Sequence, residues 1–259
     1  MIILKTREEM QSIHMAGRVV YNALQAMGKT INPGVSTTND LEEAAIKVIS
    51  DAGGSSAFLG YSPYGCPPYP AWTCISVNNE VVHGIPGRRI LQPGDIVSCD
   101  VGVILNGFVG DSAWTFPVGE VSPEAEKLMK ATLESLHKGI QQAVVGRRIG
   151  DVGHAVQQHA RRNGYSVVKE LVGHGVGKQL HEEPQIPNYG KPRTGVVLRE
   201  GMTLAIEPMV NGGHSEIEIL SDEWTIVTRD GKLSAHFEHT VAITRHGPQI
   251  LTGPDEPDI

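Results

Sequence analysis

The chain has 259 residues, of which 40% are hydrophobic and 20% charged, so it is ordinary for a globular protein and long enough for one large domain or two small ones. Its net charge of −7 argues against a general nucleic-acid binder, which would usually be basic. Its three cysteines, Cys66, Cys74 and Cys99, lack CxxC spacing and are too few for a disulfide framework, so we expect a reducing, cytoplasmic setting.

Two amphipathic helices are predicted near the start of the chain. The stretch MIILKTREEM lacks the apolar core and cleavage site of a signal peptide, and no run is apolar enough to cross a membrane. Thr6 and Glu9 have capping-box spacing, and a second helix is predicted to begin near Thr37 and to end at Gly53-Gly54. The predicted buried faces are Ile13, Ala16, Val20 and Leu24 in the first helix and Leu41, Ala44, Val48 and Ile49 in the second.

A hairpin is the clearest feature of the next segment. The predicted strands are 73–77, 95–105 and 108–117. The last two flank Asn106-Gly107, a dipeptide that favours a two-residue turn. The turn-rich stretch 62–70 precedes them, and we interpret it as a surface loop.

The second part of the chain repeats the order of helices followed by strands. A third helix is predicted to open at Ser122-Pro123, and a fourth to run from about Asp151 to Asn163-Gly164. The apolar face of the third is Leu128, Met129, Leu133, Leu136 and Ile140. The strands predicted after the fourth helix are 166–173, 202–210, 216–219, 224–229 and 232–244. Asp230-Gly231 is predicted to form a second hairpin turn.

This recurrence indicates an internal repeat. Four residues of the second helix match four of the fourth at a constant spacing: Asp40, Leu41, Ala44 and Gly53 match Asp151, Val152, Ala155 and Gly164. The segments LQPGDIVSCD and LREGMTLAIE also match, and they end in Asp100 and Glu207. We interpret the chain, residues 1–259, as a single domain of two similar α+β halves, about 1–120 and 121–259. A chance alignment of two amphipathic helices is the alternative.

The predicted hairpin carries two carboxylates in an otherwise apolar sequence. If Asn106-Gly107 is a two-residue turn, Gly102 faces Asp111, and Asp100 lies on the same face as Gly102. The two aspartates are then diagonal neighbours, about 7–8 Å apart at Cβ, near enough to contact one common atom. Buried like charges need a raised pKa or a cation between them. A shared proton, a bound cation and two solvent-facing aspartates all remain open on this pattern alone.

Three more segments hold candidate ligands. His174 is bracketed by glycines in GHGVG, and Glu207 and Glu238 lie in the apolar, strand-like segments AIEPM and HFEHT. Each also has an ordinary interpretation, as a turn residue or as a solvent-facing glutamate. With the two hairpin aspartates they form an oxygen-rich set with one nitrogen, which suits Mn, Fe, Co or Zn and is large enough for two ions about 3.5–4 Å apart. The stretch HEEPQ is not an HExxH motif, because it ends in Gln185 and contains Pro184.

Seven motifs give the chain a close resemblance to the type I methionine aminopeptidases: NNEVVHGIP, GDIVSCDVG, GFVGDSAWTF, GHGVG, LHEEPQI, GMTLAIEPM and FEHTVAIT. The resemblance extends over nearly the whole chain. It implies the pseudo-two-fold α+β "pita-bread" fold, with an antiparallel sheet core and helices outside. It also implies a metallo-aminopeptidase that hydrolyses the N-terminal methionine from nascent proteins with a small second residue, using a water molecule activated by two divalent metal ions.

The resemblance also assigns roles to individual residues. The implied metal ligands are Asp100, Asp111, His174, Glu207 and Glu238, with Asp111 and Glu238 bridging the two ions, which would be Co, Mn, Fe or Zn. His83 would contact the substrate near the scissile amide. His181 would hydrogen-bond the carbonyl oxygen as it gains charge, and Glu207 would accept a proton from the water.

A methionine pocket is implied as well, formed by Tyr61, Tyr69, Cys74 and Trp224. These are aromatic or soft groups that suit a thioether. The loop 62–70 is longer than in common bacterial members, so Tyr64 is the alternative to Tyr69. Leu180 stands where an aromatic residue is frequent, which predicts a slightly more open site.

The implied partners are the N-termini of nascent polypeptides, with the ribosome near its exit tunnel as a further candidate. We expect a cytoplasmic monomer with no membrane or direct nucleic-acid partner. Three alternatives stay open. The first is a proline-directed peptidase of the same fold, which usually carries a large extra N-terminal domain. The second is a non-catalytic relative that binds ribosome or RNA and typically lacks some ligands. The third is acid–base catalysis by Asp100 and Asp111 alone.

Overall fold

The structure, a computed structural model, describes residues 1–63, 65–254 and 256–259. The helices of this part of the chain are α1 (Arg7–Thr30), α2 (Thr38–Asp51), α3 (Pro123–Ile140) and α4 (Ile149–Arg162). The strands before α3 are β1 (Ser55–Ser56), β2 (Cys74–Val77), β3 (Glu80–Val82), β4 (Ile96–Leu105) and β5 (Phe108–Pro117). Those after α4 are β6 (Ser166–Val167), β7 (Val172–Gly175), β8 (Glu182–Pro187), β9 (Thr203–Ile206), β10 (Met209–Asn211), β11 (Ile217–Ile219), β12 (Ile226–Thr228), β13 (Ser234–His236), β14 (His239–Thr244) and β15 (Gly247–Ile250).

The helix termini follow the capping signals. Thr6 accepts a hydrogen bond from the Glu9 backbone N–H at 3.2 Å, and the Glu9 carboxylate accepts one from the Thr6 N–H at 3.0 Å, which confirms the predicted capping box. Helix α4 begins at Ile149, earlier than predicted, because Asp151 lies inside the first turn and accepts from the Arg148 N–H at 2.9 Å. In α2 the buried face contains Ala45 rather than the predicted Ala44, which is half-buried together with Val48.

Two layers of helix and sheet position the site. Helices α1 and α2 pack on the sheet of β1, β4, β2 and β5, and α3 and α4 pack toward the five-stranded sheet β15-β14-β9-β7-β8. Fully buried side chains fill each layer, among them Leu41, Ile49 and Val97 in the first and Leu136 and Leu204 in the second. Burying a leucine or isoleucine stabilises the fold by about 1.5–3 kcal/mol. The predicted α+β class with antiparallel sheets inside and helices outside is confirmed, and the division into two halves stays a prediction.

The β4–β5 hairpin has the predicted register. Leu105 pairs with Phe108, and Gly102 with Asp111, in one unbroken antiparallel ladder. Asn106 and Gly107 both adopt positive φ, 50° and 79°, as the two central residues of a type I′ turn require. The sequence pattern therefore placed Asp100 and Asp111 on one face correctly.

Three predicted strands, 166–173, 202–210 and 232–244, are wrong as single strands. Each is two shorter strands that belong to different sheets: β6 and β7, β9 and β10, and β13 and β14. At the second break Glu207 precedes Pro208, which has no N–H to donate to a ladder. The paired strands change sheet together, since His239 pairs with Ile206 on one side of the break and the β10–β13 ladder begins on the other. We call these facing breaks, residues 207–208 and 237–238, the seam.

The second predicted hairpin is also wrong. Asp230-Gly231 does form a turn, with Gly231 at φ 71°. It nevertheless joins β12 to β13, which lie in different sheets, β11-β12-β3 and β13-β10-β6. No helix in the described ranges is both long and apolar enough to cross a membrane.

Candidate active site

The hairpin and the seam are joined directly by hydrogen bonds. Thr240 Oγ1 donates to the Asp111 carbonyl at 2.8 Å and accepts from the Asp111 N–H at 3.3 Å. The Glu238 N–H donates to the Ala113 carbonyl at 2.9 Å, and the Ser112 hydroxyl donates to the Glu238 carbonyl. Asp111 and Glu238 are 3% and 2% exposed, so two carboxylates from distant parts of the chain are buried side by side.

His174 approaches these carboxylates from strand β7. Its two flanking glycines are required by close packing, since a Cβ on Gly173 would lie 2.3 Å from the Ala205 carbonyl oxygen and one on Gly175 would lie 2.4 Å from the Glu183 carbonyl oxygen. The imidazole Nδ1 lies 2.9 Å from the Gly175 carbonyl oxygen, which can only accept, so Nδ1 carries the hydrogen. The Nε2 atom is therefore left with its lone pair.

That lone pair faces carboxylate oxygens. His174 Nε2 lies 3.6 Å from Asp111 Oδ2 and 3.4 Å from Glu207 Oε1. One ligand atom each from Asp111, His174 and Glu238 lie within 4.8 Å of one another, a spacing that can hold a metal ion. Asp100 and Glu207 line the same cavity, which has a volume of about 190 Å³. The structure thus brings all five predicted ligands together.

The electrostatics of this cluster favour a bound cation. Burial raises the pKa of Asp100 to about 7, and burial followed by mutual repulsion raises the pKa values of the other three carboxyl groups well above their ordinary range. In the described ranges no lysine or arginine forms an ion pair with any of the four. Asp100 Oδ1, Asp111 Oδ1 and Glu238 Oε1 are buried and have no hydrogen-bond partner among the described residues. Four carboxylates and one imidazole are donors that suit a divalent ion, and the unpartnered oxygens fit one.

The two histidines predicted to act on the substrate lie on the cavity wall. Burial lowers the pKa of His83 to about 4, and its backbone adopts φ 60°, a left-handed conformation that is uncommon for residues other than glycine. His181 lies where the cavity opens into a surface groove, and burial of part of its ring lowers its pKa. Its ring centroid is 4.2 Å from that of His174. Its Nδ1 is hydrogen-bonded to the Tyr61 hydroxyl.

The remaining predicted pocket residues form an apolar wall. The rings of Tyr69 and Trp224 pack edge to face with centroids 5.1 Å apart, and Cys74 is buried in the same cluster. The Tyr69 hydroxyl donates to the Thr73 carbonyl at 3.1 Å, and Trp224 Nε1 donates to the Pro67 carbonyl at 3.0 Å. Their polar atoms are thus bonded to backbone, so the wall offers carbon and sulfur to a ligand.

The loop 62–70 differs from the prediction at one position. Most of its described residues are exposed or half-buried, but Tyr69 is only 2% exposed because its ring belongs to this wall. Tyr64, the alternative to Tyr69, lies outside the described residues. Leu180 is buried and lines the cavity.

One residue at the site was missed. His236 lines the cavity and is 2% exposed, and its Nε2 lies 3.9 Å from Glu207 Oε2. Within the part of the chain that the structure describes, this nitrogen has no hydrogen-bond partner. Burial lowers its pKa to about 3, so the ring is neutral. The available signal was its place in the motif HFEHT, beside Glu238.

The sequence matches those of known proteins over nearly its whole length. Residues 11–245 match the model of metallopeptidase family M24. The chain is 50% identical to methionine aminopeptidase 1 of Bacillus subtilis, over 97% of this chain and 99% of that protein. It is 49% identical to the methionine aminopeptidase of Clostridium perfringens, over 97% and 99%.

Solved structures of known proteins have the same fold. The crystal structure of methionine aminopeptidase from Thermotoga maritima superimposes with a TM-score of 0.93 at 47% identity, covering 97% of this chain and 99% of that one. Prolidase from Pyrococcus furiosus, at 23% identity and a TM-score of 0.78, shares the fold, and the match covers 66% of its chain. These neighbours confirm the pita-bread fold, and family membership implies the use of divalent metal. The chain belongs to the methionine aminopeptidases of metallopeptidase family M24.

Proposed function

We propose that this protein hydrolyses the peptide bond that follows an N-terminal methionine, with two divalent metal ions held by the five clustered side chains. The observation that carries the proposal is the composition of one cavity. Unpaired, buried carboxylate oxygens and a histidine lone pair lie on one side of it, and an apolar wall of aromatic rings and a thiol lies on the other. A thioether side chain suits that wall, and a scissile carbonyl beside it would reach the ligand cluster.

The residues that would hold the metals are Asp100, Asp111, His174, Glu207 and Glu238. Asp111 and Glu238 are proposed as the shared ligands, which is supported by their deep burial and by ligand atoms that lie within 4.8 Å of each other. When bound, divalent ions would offset the repulsion among the carboxylates, lower the pKa of a water molecule and polarise the substrate carbonyl. Co, Mn, Fe and Zn all suit this donor set.

Three residues are proposed to act on the reacting atoms. Glu207, whose pKa burial raises, would accept the proton of the attacking water. His83 would contact the substrate near the scissile amide. His181 would donate a hydrogen bond to the carbonyl oxygen as it gains negative charge, a contribution that is greatest in the transition state.

The substrates are proposed to be nascent polypeptides with a small second residue. Action as a cytoplasmic monomer without a nucleic-acid partner, and docking near the ribosomal exit tunnel, remain predictions from the sequence. They do not bear on the chemistry of the cavity.

Methionine release tests the function. We expect the protein to liberate methionine from Met-Ala-Ser when Mn²⁺ or Co²⁺ is supplied, and to leave Xaa-Pro peptides intact. The matched control is Asp111→Asn, which keeps the side-chain shape and removes a ligand charge. Cleavage confined to Xaa-Pro peptides would instead assign the chain to the proline-directed enzymes that share the fold. Equal methionine release by Asp111→Asn would contradict the metal role.

A further inference from the structure

Two neighbouring histidines of the site form hydrogen bonds through Nδ1 with chemically different partners. His174 Nδ1 is bonded to the Gly175 carbonyl oxygen, an atom that can only accept. Its hydrogen is therefore on Nδ1, and its lone pair is on Nε2, toward Asp111 and Glu207. This ring is fixed in the form that a metal ligand needs.

His181, whose ring lies 4.2 Å from that of His174, has a different partner at Nδ1, the hydroxyl of Tyr61. A histidine of ordinary pKa, about 6.5, is neutral at pH 8, so one ring nitrogen donates and the other accepts. A phenol O–H, with a pKa near 10, is a better donor than a neutral imidazole N–H, and the bare imidazole nitrogen is the better acceptor. The favoured arrangement has the Tyr61 O–H donating to Nδ1, and it puts the hydrogen of the ring on Nε2.

We propose that Tyr61 is a positioning residue that holds His181 in the tautomer with its hydrogen on Nε2, so that His181 donates to the carbonyl oxygen of the scissile bond. The inference rests on the proposed function, because it assigns His181 a substrate oxygen. It gives Tyr61 a role beyond the methionine pocket, in which the resemblance placed it. The apolar wall of Tyr69, Cys74 and Trp224 is a cluster in which the polar atoms of Tyr69 and Trp224 bond to backbone, whereas the Tyr61 hydroxyl bonds to a histidine.

The tautomer decides the sign of the interaction with substrate. With hydrogen on Nε2, the ring stabilises negative charge on the carbonyl oxygen, and loss of one such donor costs about 10²–10³-fold in kcat. With hydrogen on Nδ1, the ring would present a lone pair to the same oxygen and oppose the charge. Two adjacent imidazoles are thus set for different tasks by their outer partners, a carbonyl for the ligand and a hydroxyl for the donor.

Kinetics of Tyr61→Phe test the role, because this change removes the hydroxyl and keeps the ring. With Met-Ala-Ser at pH 8, we expect kcat to fall about 10-fold, an intermediate loss typical of an outer hydrogen-bond partner, while KM and Mn²⁺ affinity stay within about twofold of wild type. The matched control is Tyr189→Phe, at a 36% exposed tyrosine that does not line the cavity, and we expect wild-type kinetics. An unchanged kcat in Tyr61→Phe, or a change confined to KM, would overturn the proposal and leave Tyr61 a pocket residue.

A double variant, Tyr61→Phe with His181→Ala, tests whether Tyr61 acts through His181. We expect His181→Ala to lower kcat about 10²–10³-fold and Tyr61→Phe to add less than about twofold to that loss. Losses that multiply would mean that Tyr61 acts independently of His181, against the proposal. If His181→Ala has no effect, the proposed function of His181 fails first, and this outcome is distinct from a failure of Tyr61 alone.

A spectroscopic readout is independent of turnover. In ¹⁵N-labelled protein loaded with diamagnetic Zn²⁺, long-range ¹H–¹⁵N correlations at pH 8 report which ring nitrogen of each histidine carries hydrogen. We expect hydrogen on Nε2 of His181 and on Nδ1 of His174, and in Tyr61→Phe a mixture of tautomers at His181 only. His174 serves as the internal reference for intact folding. Hydrogen on Nδ1 of His181 in the wild type would overturn the inference, whether or not the protein releases methionine.

Discussion

The hairpin and the seam bury carboxylates in two different ways. In the β4–β5 hairpin an unbroken ladder holds the main chain, and side-chain alternation alone puts Asp100 and Asp111 on one face. At the seam the ladder stops, two strand pairs change sheet, and Glu207 and Glu238 lie at the bends. A rigid ladder fixes the spacing of the first pair, whereas the second pair depends on contacts with other elements. Thr240 is one such contact, because it bonds to both backbone groups of Asp111.

The largest effect is expected when one metal ligand is removed, either from the hairpin or from the seam. Asp111→Asn in the hairpin and Glu238→Gln at the seam should both reduce methionine release on the order of 10³-fold or more, since even outer partners of metal ligands are worth about 10–100-fold. The metal-free variants should unfold at higher temperature than the metal-free wild type, because each removes a carboxyl group whose ionised form is destabilised by burial and mutual repulsion. Steady-state kinetics and calorimetry of metal-free protein check both points. Lower thermal stability in both variants would contradict the account of the cluster as strained without a cation.

A middle-sized effect is expected where the two regions are joined. Thr240→Val keeps the shape and removes both hydrogen bonds to Asp111, leaving buried backbone groups unpaired, so the free energy of unfolding should fall by about 1–3 kcal/mol. Urea unfolding measures it. The control is Thr30→Val, which removes a single bond to the Ala26 carbonyl in α1 and should change stability by about 0.5 kcal/mol or less. Equal losses of unfolding free energy in the two variants would show that the Thr240–Asp111 hydrogen bonds contribute no more to stability than an ordinary helix hydrogen bond.

The smallest effect is expected for a substitution confined to the turn of the hairpin. Gly107 has φ 79°, a conformation that costs an L-residue about 1 kcal/mol, and a Cβ there would meet no described neighbour within 4 Å. Gly107→Ala should therefore lower the free energy of unfolding by about 1 kcal/mol and leave kcat unchanged, because the rest of the ladder keeps the register. Urea unfolding and methionine release test this together. A large fall in kcat would mean that the turn, rather than the ladder, sets the spacing of the aspartates.

The contrast between the regions also explains what the sequence pattern could reveal. The hairpin was predictable because Asn106-Gly107 marks the turn and alternation then fixes each side chain. The seam was not, because β9, β10, β13 and β14 are buried on both faces and carry no period that would mark a bend. A change of sheet depends on partner strands far along the chain. The place of His236 in the cavity could not be predicted for the same reason, since its position is set by the seam.

The helices, like the hairpin, could be predicted from local sequence signals. Local capping signals located their termini, and the start of α4 was misplaced only because Asp151 caps from within the first turn. The hydrogen bond between Tyr61 and His181 could not be predicted from the sequence pattern. Tyr61 and His181 are far apart in sequence, and no local pattern indicates that they come into contact.

The most direct test of the central claim is anomalous diffraction from a crystal of this protein grown with Mn²⁺. The account predicts two peaks about 3.5–4 Å apart, both bounded by Asp111 and Glu238 and completed by Asp100, His174 and Glu207. Ions held by other residues, or an absence of anomalous density among these five side chains at saturating Mn²⁺, would contradict it.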